Sequence, residues 1–296
     1  MANRCKYYKQ QELVSYDGGS TWNPTGNYRQ GDLIEYQSSD CPSFAEKYKA
    51  TYNDGRTYSA ECTSQNETLA QADVRASGYD YARLIQAELG NCVTSVGSAA
   101  FSQCSAITSV ILSDNLTSIG SLAFDGCKSL SSITIPSTVT SIGHSAFYNC
   151  SGLTSVTIPS GVASIDNYLF YSCRGLTNVT IQNGVTSIGE NAFAYCSNLA
   201  NVAIPNGVTT IGNSAYYFSG IVNVTLGDSI TSIGGSAFYN SYLESFTINT
   251  VTPPSLGSGA FNSTDNLTIY VPAASVNTYK SASGWSAYAS KIQAIP

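Results

Sequence analysis

Charge is scarce in this chain. Only 11% of its residues are Asp, Glu, Lys or Arg, with a formal net charge of −6 and a single His and a single Met. A nucleic-acid binder needs a basic excess to neutralise phosphates, and none is present. Disorder is excluded as well, because it combines few apolar residues with high charge, whereas 43% of this chain is apolar. The 25 Gly follow no three-residue period, so a collagen-like chain is ruled out. No apolar run approaches the roughly 18 to 20 residues of a membrane span. The start, MANRCKYYKQQELVSYDGG, lacks the apolar stretch of a secretory signal. The expectation is either synthesis without export or a start that is not that of a precursor.

The absences also narrow the chemistry. With His144 as the sole His, a Ser-His-Asp or Cys-His nucleophile system would depend wholly on it. It follows a Gly at a position that neighbouring segments fill with Ser121, Glu190 and Asn213, as an exposed turn residue would. There is no Cys-x-x-Cys pair and no Cys/His cluster, which argues against zinc. Acidic residues beyond residue 92 are scattered singly, so neither a glycosidase carboxylate pair nor a Ca²⁺ loop is indicated. Glycine-rich phosphate motifs are missing too. The sequence therefore predicts no enzyme, no cofactor and no bound metal.

What is present is Ser, Thr and Asn, unevenly mixed with the few charges. Residues 1–92 carry 9 Lys+Arg and 12 Asp+Glu, and the other 204 residues carry 4 and 7. Two modules are predicted, joined near residues 80–92. The second is periodic. An aromatic residue recurs at Phe101, Phe124, Phe147, Phe170, Phe193, Tyr216, Phe238 and Phe261, every 23 residues except for one interval of 22. Three residues later stand Cys104, Cys127, Cys150, Cys173 and Cys196, then Ser219, Ser241 and Thr264. A third column runs through Ile119, Ile142, Ile165, Ile188, Ile211 and Ile233. The phrase LTSVTIP at Leu153–Pro159 alternates buried and exposed positions like a short strand, and Pro159 and Gly161 end it. One such unit cannot bury its apolar face alone, so identical units must stack at strand spacing, about 4.8 Å per coil.

These residues resemble the BspA-like leucine-rich repeats, whose 23-residue consensus reads close to LTSVTIPxxVTSIGxxAFxxC. The resemblance covers residues 84–272. It implies a mainly β, right-handed solenoid of seven or eight coils, with surface adhesion as the family's usual role. The last segment, residues 273–296, resembles the cap that closes many proteins of this class, with short helices carrying Val276, Tyr279, Trp285, Tyr288 and Ile292. Residues 1–80 read as a small antiparallel β-domain with Trp22 in its core. Its signals are two runs around a DGG turn and a hairpin in YKATYNDGRTYSAE.

The five column cysteines are expected to be buried small hydrophobes. Cys5, Cys41, Cys62 and Cys92 lie outside the column and in an oxidising setting would form disulfides. Cys5 with Cys41 and Cys62 with Cys92 is one pairing, and spacing does not fix the connectivity.

Two surfaces are candidate binding sites. One strand column contains Ser155, Asn178, Asn201 and Asn223, and its neighbour contains Thr157 and Thr180. Together they tile an uncharged hydroxyl and amide face, which is either a hydrogen-bonded ladder or a platform for a ligand. The other surface is a stripe of Tyr148, Tyr171, Tyr217 and Tyr239, joined by Tyr195 and Tyr242, which either contacts a ligand or packs over the coil junctions. The favoured function is non-enzymatic recognition or adhesion, with a protein or glycan at a cell surface as partner. The alternative is a bacteriophage or prophage virion component, whose N-terminal domain docks to the particle while the repeats recognise a host. No nucleic-acid partner is expected, and the location is the cell surface, the extracellular space or a virion.

Overall fold

The computed structural model describes residues 46–61, 67–70, 74, 81–239 and 241–296, and the backbone of 4–5, 15–16, 22–23 and 36–37. The chain divides into two units, Met1–Phe44 and Ala45–Pro296. In the first, Arg4–Cys5 pairs antiparallel with Tyr36–Gln37, and Ser15–Tyr16 with Trp22–Asn23. The Trp22 side chain and the Cys5, Cys41 and Cys62 ends of the expected disulfides lie outside the described residues. Cys92 is disulfide-bonded.

The second unit is a parallel β-solenoid. Strand phrases of neighbouring coils run parallel and in register, Ser155 opposite Asn178 and Thr157 opposite Thr180, with the ladder broken between Asn178–Ile181 and Asn201–Ile204. Farther on, Asn201–Ile204, Asn223–Leu226, Ser245–Ile248 and Thr268–Val271 follow in one parallel sheet. The Ile column forms a second parallel sheet from two-residue strands such as Ser187–Ile188 and Thr210–Ile211. Between the two, the aromatic column stacks ring on ring. Phe101, Phe124, Phe147, Phe170, Phe193, Tyr216 and Phe238 follow at centroid distances of 5.2–5.4 Å, all fully buried.

The corner that carries the ring is built from two left-handed residues, two before and two after it. Around Phe170 these are Tyr168 (φ 57°) and Ser172 (φ 60°). Such φ values are costly for side-chain-bearing residues. They persist because the corner amides bond across coils, as in Phe147 N–H to Leu169 O at 3.0 Å and Phe170 N–H to Ala192 O at 2.8 Å.

The column cysteines are buried as expected, but they also donate. The Sγ of Cys127, Cys150, Cys173 and Cys196 lies 3.1–3.2 Å from the carbonyl oxygen of Phe101, Phe124, Phe147 and Phe170 respectively. Thiol donors thereby tie the cysteine slot to the preceding coil.

The glycine after the Ile column is sterically required. A Cβ on Gly143 would stand 2.6 Å from the Ser121 nitrogen, and one on Gly189 2.7 Å from the Asn167 nitrogen. Between them Asp166 occupies the same column and does carry a Cβ. Gly143 N–H and Gly189 N–H bond to Ile119 O and Ile165 O at 2.8 and 2.7 Å, and Asp166 makes no such bond. The second sheet is accordingly interrupted there, with Ser141–Ile142 unpaired to Ser164–Ile165.

Both ends of the stack are covered. The hairpin of Glu46–Tyr52 and Thr57–Glu61 is hydrogen-bonded antiparallel to Leu84–Leu89, extending the first sheet. Tyr48 and Tyr52 are buried, and Tyr48 lies 6.2 Å from Phe101. In its turn, the Arg56 guanidinium and backbone N–H bond to Asp54 and hold its carboxyl down at about 2. At the other end, the helix Val276–Ser281 and the 3-10 turn Trp285–Lys291 cover the last coil. Trp285 Nε1–H donates to Pro254 O at 2.7 Å and the Tyr279 hydroxyl to Thr250 O at 2.9 Å. Ile292–Ala294 then pairs with Thr268–Val271.

Removing one ring opens a cavity between two others. Phe147→Ala should destabilise the solenoid by roughly 3 to 5 kcal/mol, read from denaturant unfolding. Alkali probes the thiols, because burial pushes Cys127, Cys150 and Cys196 well above their ordinary value near 9 and Cys173 up to about 12. Below pH 9 the thiols are protonated in both folded and unfolded chains and contribute no pH dependence. Above it the unfolded chain loses protons that the folded chain keeps, so stability falls as pH rises towards 12. The midpoint measured across that window should fall, and the fall should be shallower in Cys150→Ala and Cys173→Ala.

Candidate functional site

The strand face follows from the two-residue alternation. In Ser155–Ile158, Asn178–Ile181, Asn201–Ile204 and Asn223–Leu226 the first and third residues are exposed and the second and fourth buried. Ser155, Asn178, Asn201 and Asn223 therefore form one exposed column, and Thr157, Thr180, Ala203 and Thr225 the next. No charged residue occurs in either column from Ser109 to Thr247.

Hydroxyl ladders do exist, but one residue away. Thr154 and Thr177 donate through Oγ1 to the carbonyls of Ser131 and Thr154, both at 3.1 Å, and Thr186 and Thr209 act likewise in the second sheet. Their donors are consumed within the coil stack. By contrast, no side-chain hydrogen bond engages Ser155, Thr157, Asn178 or Thr180 among the described residues. On this face only Asn223 Nδ2 finds a neighbour, Asn201 Oδ1, at 2.9 Å. Apart from that pair, the exposed columns keep their side-chain donors and acceptors unengaged among the described residues, in a grid spaced by the coil repeat.

The ring stripe is also assembled. Tyr148 stacks on Tyr171 at 4.8 Å with planes 6° apart, Tyr171 meets Tyr195 edge-on at 5.3 Å, and Tyr217 stacks on Tyr239 at 5.2 Å. Tyr195 bridges the two pairs, lying 5.8 Å from Tyr217. These rings are half-buried, and burial together with the neighbouring Tyr195 phenol raises the Tyr171 phenol above its ordinary value. Tyr242 stands apart, 76% exposed and without a ring partner among the described residues.

Two ring members are not among the residues singled out in the sequence. Tyr168 tilts against Tyr171 at 5.7 Å, and Phe218 stacks on Tyr195 at 5.7 Å and is 39% exposed. The available signal was their offset from the aromatic column, Tyr168 two residues before Phe170 and Phe218 two after Tyr216. His144 is exposed, as its turn position implies, with Nδ1 3.5 Å from the adjacent Ser145 hydroxyl. Among the described residues no three of His, Cys, Asp and Glu are grouped to hold a metal, and no helix is long and apolar enough to cross a membrane.

The stripe can be tested as a unit. A double-mutant cycle on Tyr148→Ala and Tyr171→Ala should return a coupling of about 0.5 to 1.5 kcal/mol, the range for stacked aromatic pairs. Thr180→Ala on the free face should change stability by less than about 0.5 kcal/mol.

No curated protein matches this sequence. Among solved structures, a leucine-rich cell surface protein of Faecalibacterium prausnitzii superposes with a TM-score of 0.52 at 23% identity. That match covers 90% of this chain and 76% of the other and shows a common fold. A leucine-rich repeat protein of Treponema pallidum matches at 25% identity and a TM-score of 0.43, over 62% and 78% of the two chains. The family description "BspA type leucine rich repeat region" matches in six copies over residues 73–200 and 163–285. With that span, the 23-residue columns and the stacked parallel coils in agreement, the chain belongs to the BspA-type leucine-rich repeat family.

Proposed function

We propose that this chain is a non-enzymatic recognition protein that attaches to a protein or glycan at a cell surface through its strand face. The observation that carries this reading is the set of unengaged side chains at Ser155, Thr157, Asn178 and Thr180, exposed on a rigid parallel sheet without charge. A surface of this kind gives up little entropy on binding because the backbone already fixes the grid. It also carries no charged groups to desolvate. The tyrosine stripe extends the contact area with side chains that lose few rotamers. The cell-surface description of the F. prausnitzii relative is compatible with such a location for this chain.

The experiment is adhesion of the purified full-length chain to intact bacterial and epithelial cells, counted by flow cytometry. Asn178→Asp, Thr180→Lys and Asn201→Asp, combined, should abolish the signal while leaving the thermal midpoint nearly unchanged. Unaltered adhesion by that variant would remove the strand face as the binding surface.

A further inference from the structure

The repeat is broken in one way at two adjacent coils. From the aromatic column to the next buried aliphatic residue the corner spans six positions in Phe101–Ile107, Phe124–Leu130, Phe147–Leu153, Phe170–Leu176, Phe193–Leu199 and Phe261–Leu267. In Tyr216–Ile221 and Phe238–Leu243 it spans five. Full corners close with a backbone bond, such as Leu199 N–H to Cys196 O at 3.1 Å and Leu267 N–H to Thr264 O at 3.3 Å. Among the described residues the amide of Ile221 makes no such bond. Two short corners between two full ones leave a recess, and a groove of about 540 Å³ lies there. That volume falls in the range of small-ligand sites, about 300 to 1,000 Å³.

The floor of the groove includes Ser219. It stands where the thiol ladder ends, and its shorter side chain does not reach the Phe193 carbonyl as a cysteine would. It is 1% exposed, and its hydroxyl has no hydrogen-bond partner. A buried hydroxyl left unsatisfied is uncommon in folded proteins. The walls hold Phe218 and the outlying Tyr242, with Arg174, Glu244 and Asp265 around them. Arg174, Tyr242 and Asp265 fall in the column after the cysteine slot, Tyr242 and Asp265 on adjacent coils and Arg174 three coils before Tyr242, at the far end of the groove.

We infer that this groove binds a neutral saccharide of two or three units; the inference rests on the reading of the chain as a surface-binding protein. The exposed faces of Phe218 and Tyr242 offer the negative π surface on which polarised C–H bonds of a pyranose lie. Arg174, Glu244 and Asp265 are planar groups that hydrogen-bond through two atoms at once, matching vicinal hydroxyls. Two carboxylates against one guanidinium leave an excess of negative charge, which disfavours an anionic ligand. An added peptide strand finds no run of free amides, because those flanking Ile221 are engaged, Gly220 N–H with Cys196 O at 3.0 Å and Val222 N–H with Ala200 O at 2.8 Å.

The test is saturation-transfer NMR and titration calorimetry on the full chain, with maltotriose, cellotriose, chitotriose and lactose as probes and sialyllactose as the anionic comparison. At least one neutral probe should bind, and Tyr242→Ala and Glu244→Gln should each weaken it tenfold or more without changing the thermal midpoint. Inserting Ser between Gly220 and Ile221, which restores a full corner, should abolish binding. No neutral probe bound at millimolar concentration, stronger binding of sialyllactose, or indifference to Tyr242→Ala would overturn the inference. The strand-face variant separates the two readings. If it loses cell adhesion and no sugar binds, the groove alone is refuted. If sugar binds and depends on Tyr242 while that variant still adheres, the groove stands and the strand-face reading falls.

Discussion

Every coil depends on the next for both its backbone bonds and its apolar cover, and both must be satisfied at the same spacing of about 5 Å. The ring centroids at 5.2–5.4 Å and the in-register strands are two expressions of that spacing. A residue type that fits one coil fits the neighbouring coil in the same slot, because its surroundings repeat. This is why the columns are so nearly uniform. It is also why the ends need separate treatment, since a terminal coil exposes an unpaired sheet edge. Tyr48 and Tyr52 on the hairpin meet that need at one end, and Trp285 and Tyr279 at the other.

The same spacing sets the cost of each departure. Backbones of successive coils approach so closely after the Ile column that a single Cβ, on Asp166, interrupts the second sheet, while the aromatic stack beside it continues through Phe147 and Phe170 at 5.4 Å. Failure is local because each coil bonds only to its neighbours. Ser219 has a comparable effect on the thiol ladder: one shorter side chain leaves a hydroxyl unpaired without displacing Tyr216 from the stack.

Much of the fold was legible because a repeat advertises itself through identical residues at identical offsets. The aromatic, Cys and Ile columns, the alternation in LTSVTIP and the capping helices all read directly. What did not read is what depends on partners rather than positions. The hairpin in YKATYNDGRTYSAE is visible from its DG turn, but its pairing with Leu84–Leu89 is set by an open sheet edge that no local pattern encodes. The cysteine slot reads as a small apolar site, whereas the bond from Sγ to a carbonyl depends on the register of the coil before it. Thr154 and Thr157 look equivalent in sequence, yet one hydroxyl is consumed by the stack and the other is free. Nor does composition reveal that Leu122, Tyr168 and Phe218 occupy left-handed positions.

That last group bears on where function resides. A left-handed corner favours Gly or Asn, so a large ring held there, as with Tyr168, Tyr195 and Phe218, costs conformational energy that a smaller residue would avoid. Such strain persists where surrounding contacts enforce it, and it is over-represented at functional sites. Of the three rings, Phe218 lies in the first short corner, where uniformity also fails in length and in the Cys column, with Tyr195 one coil and Tyr168 two coils before it. The regular coils thus present an uncharged strand grid, and the two short corners a recess with Phe218 and Tyr242 at its rim.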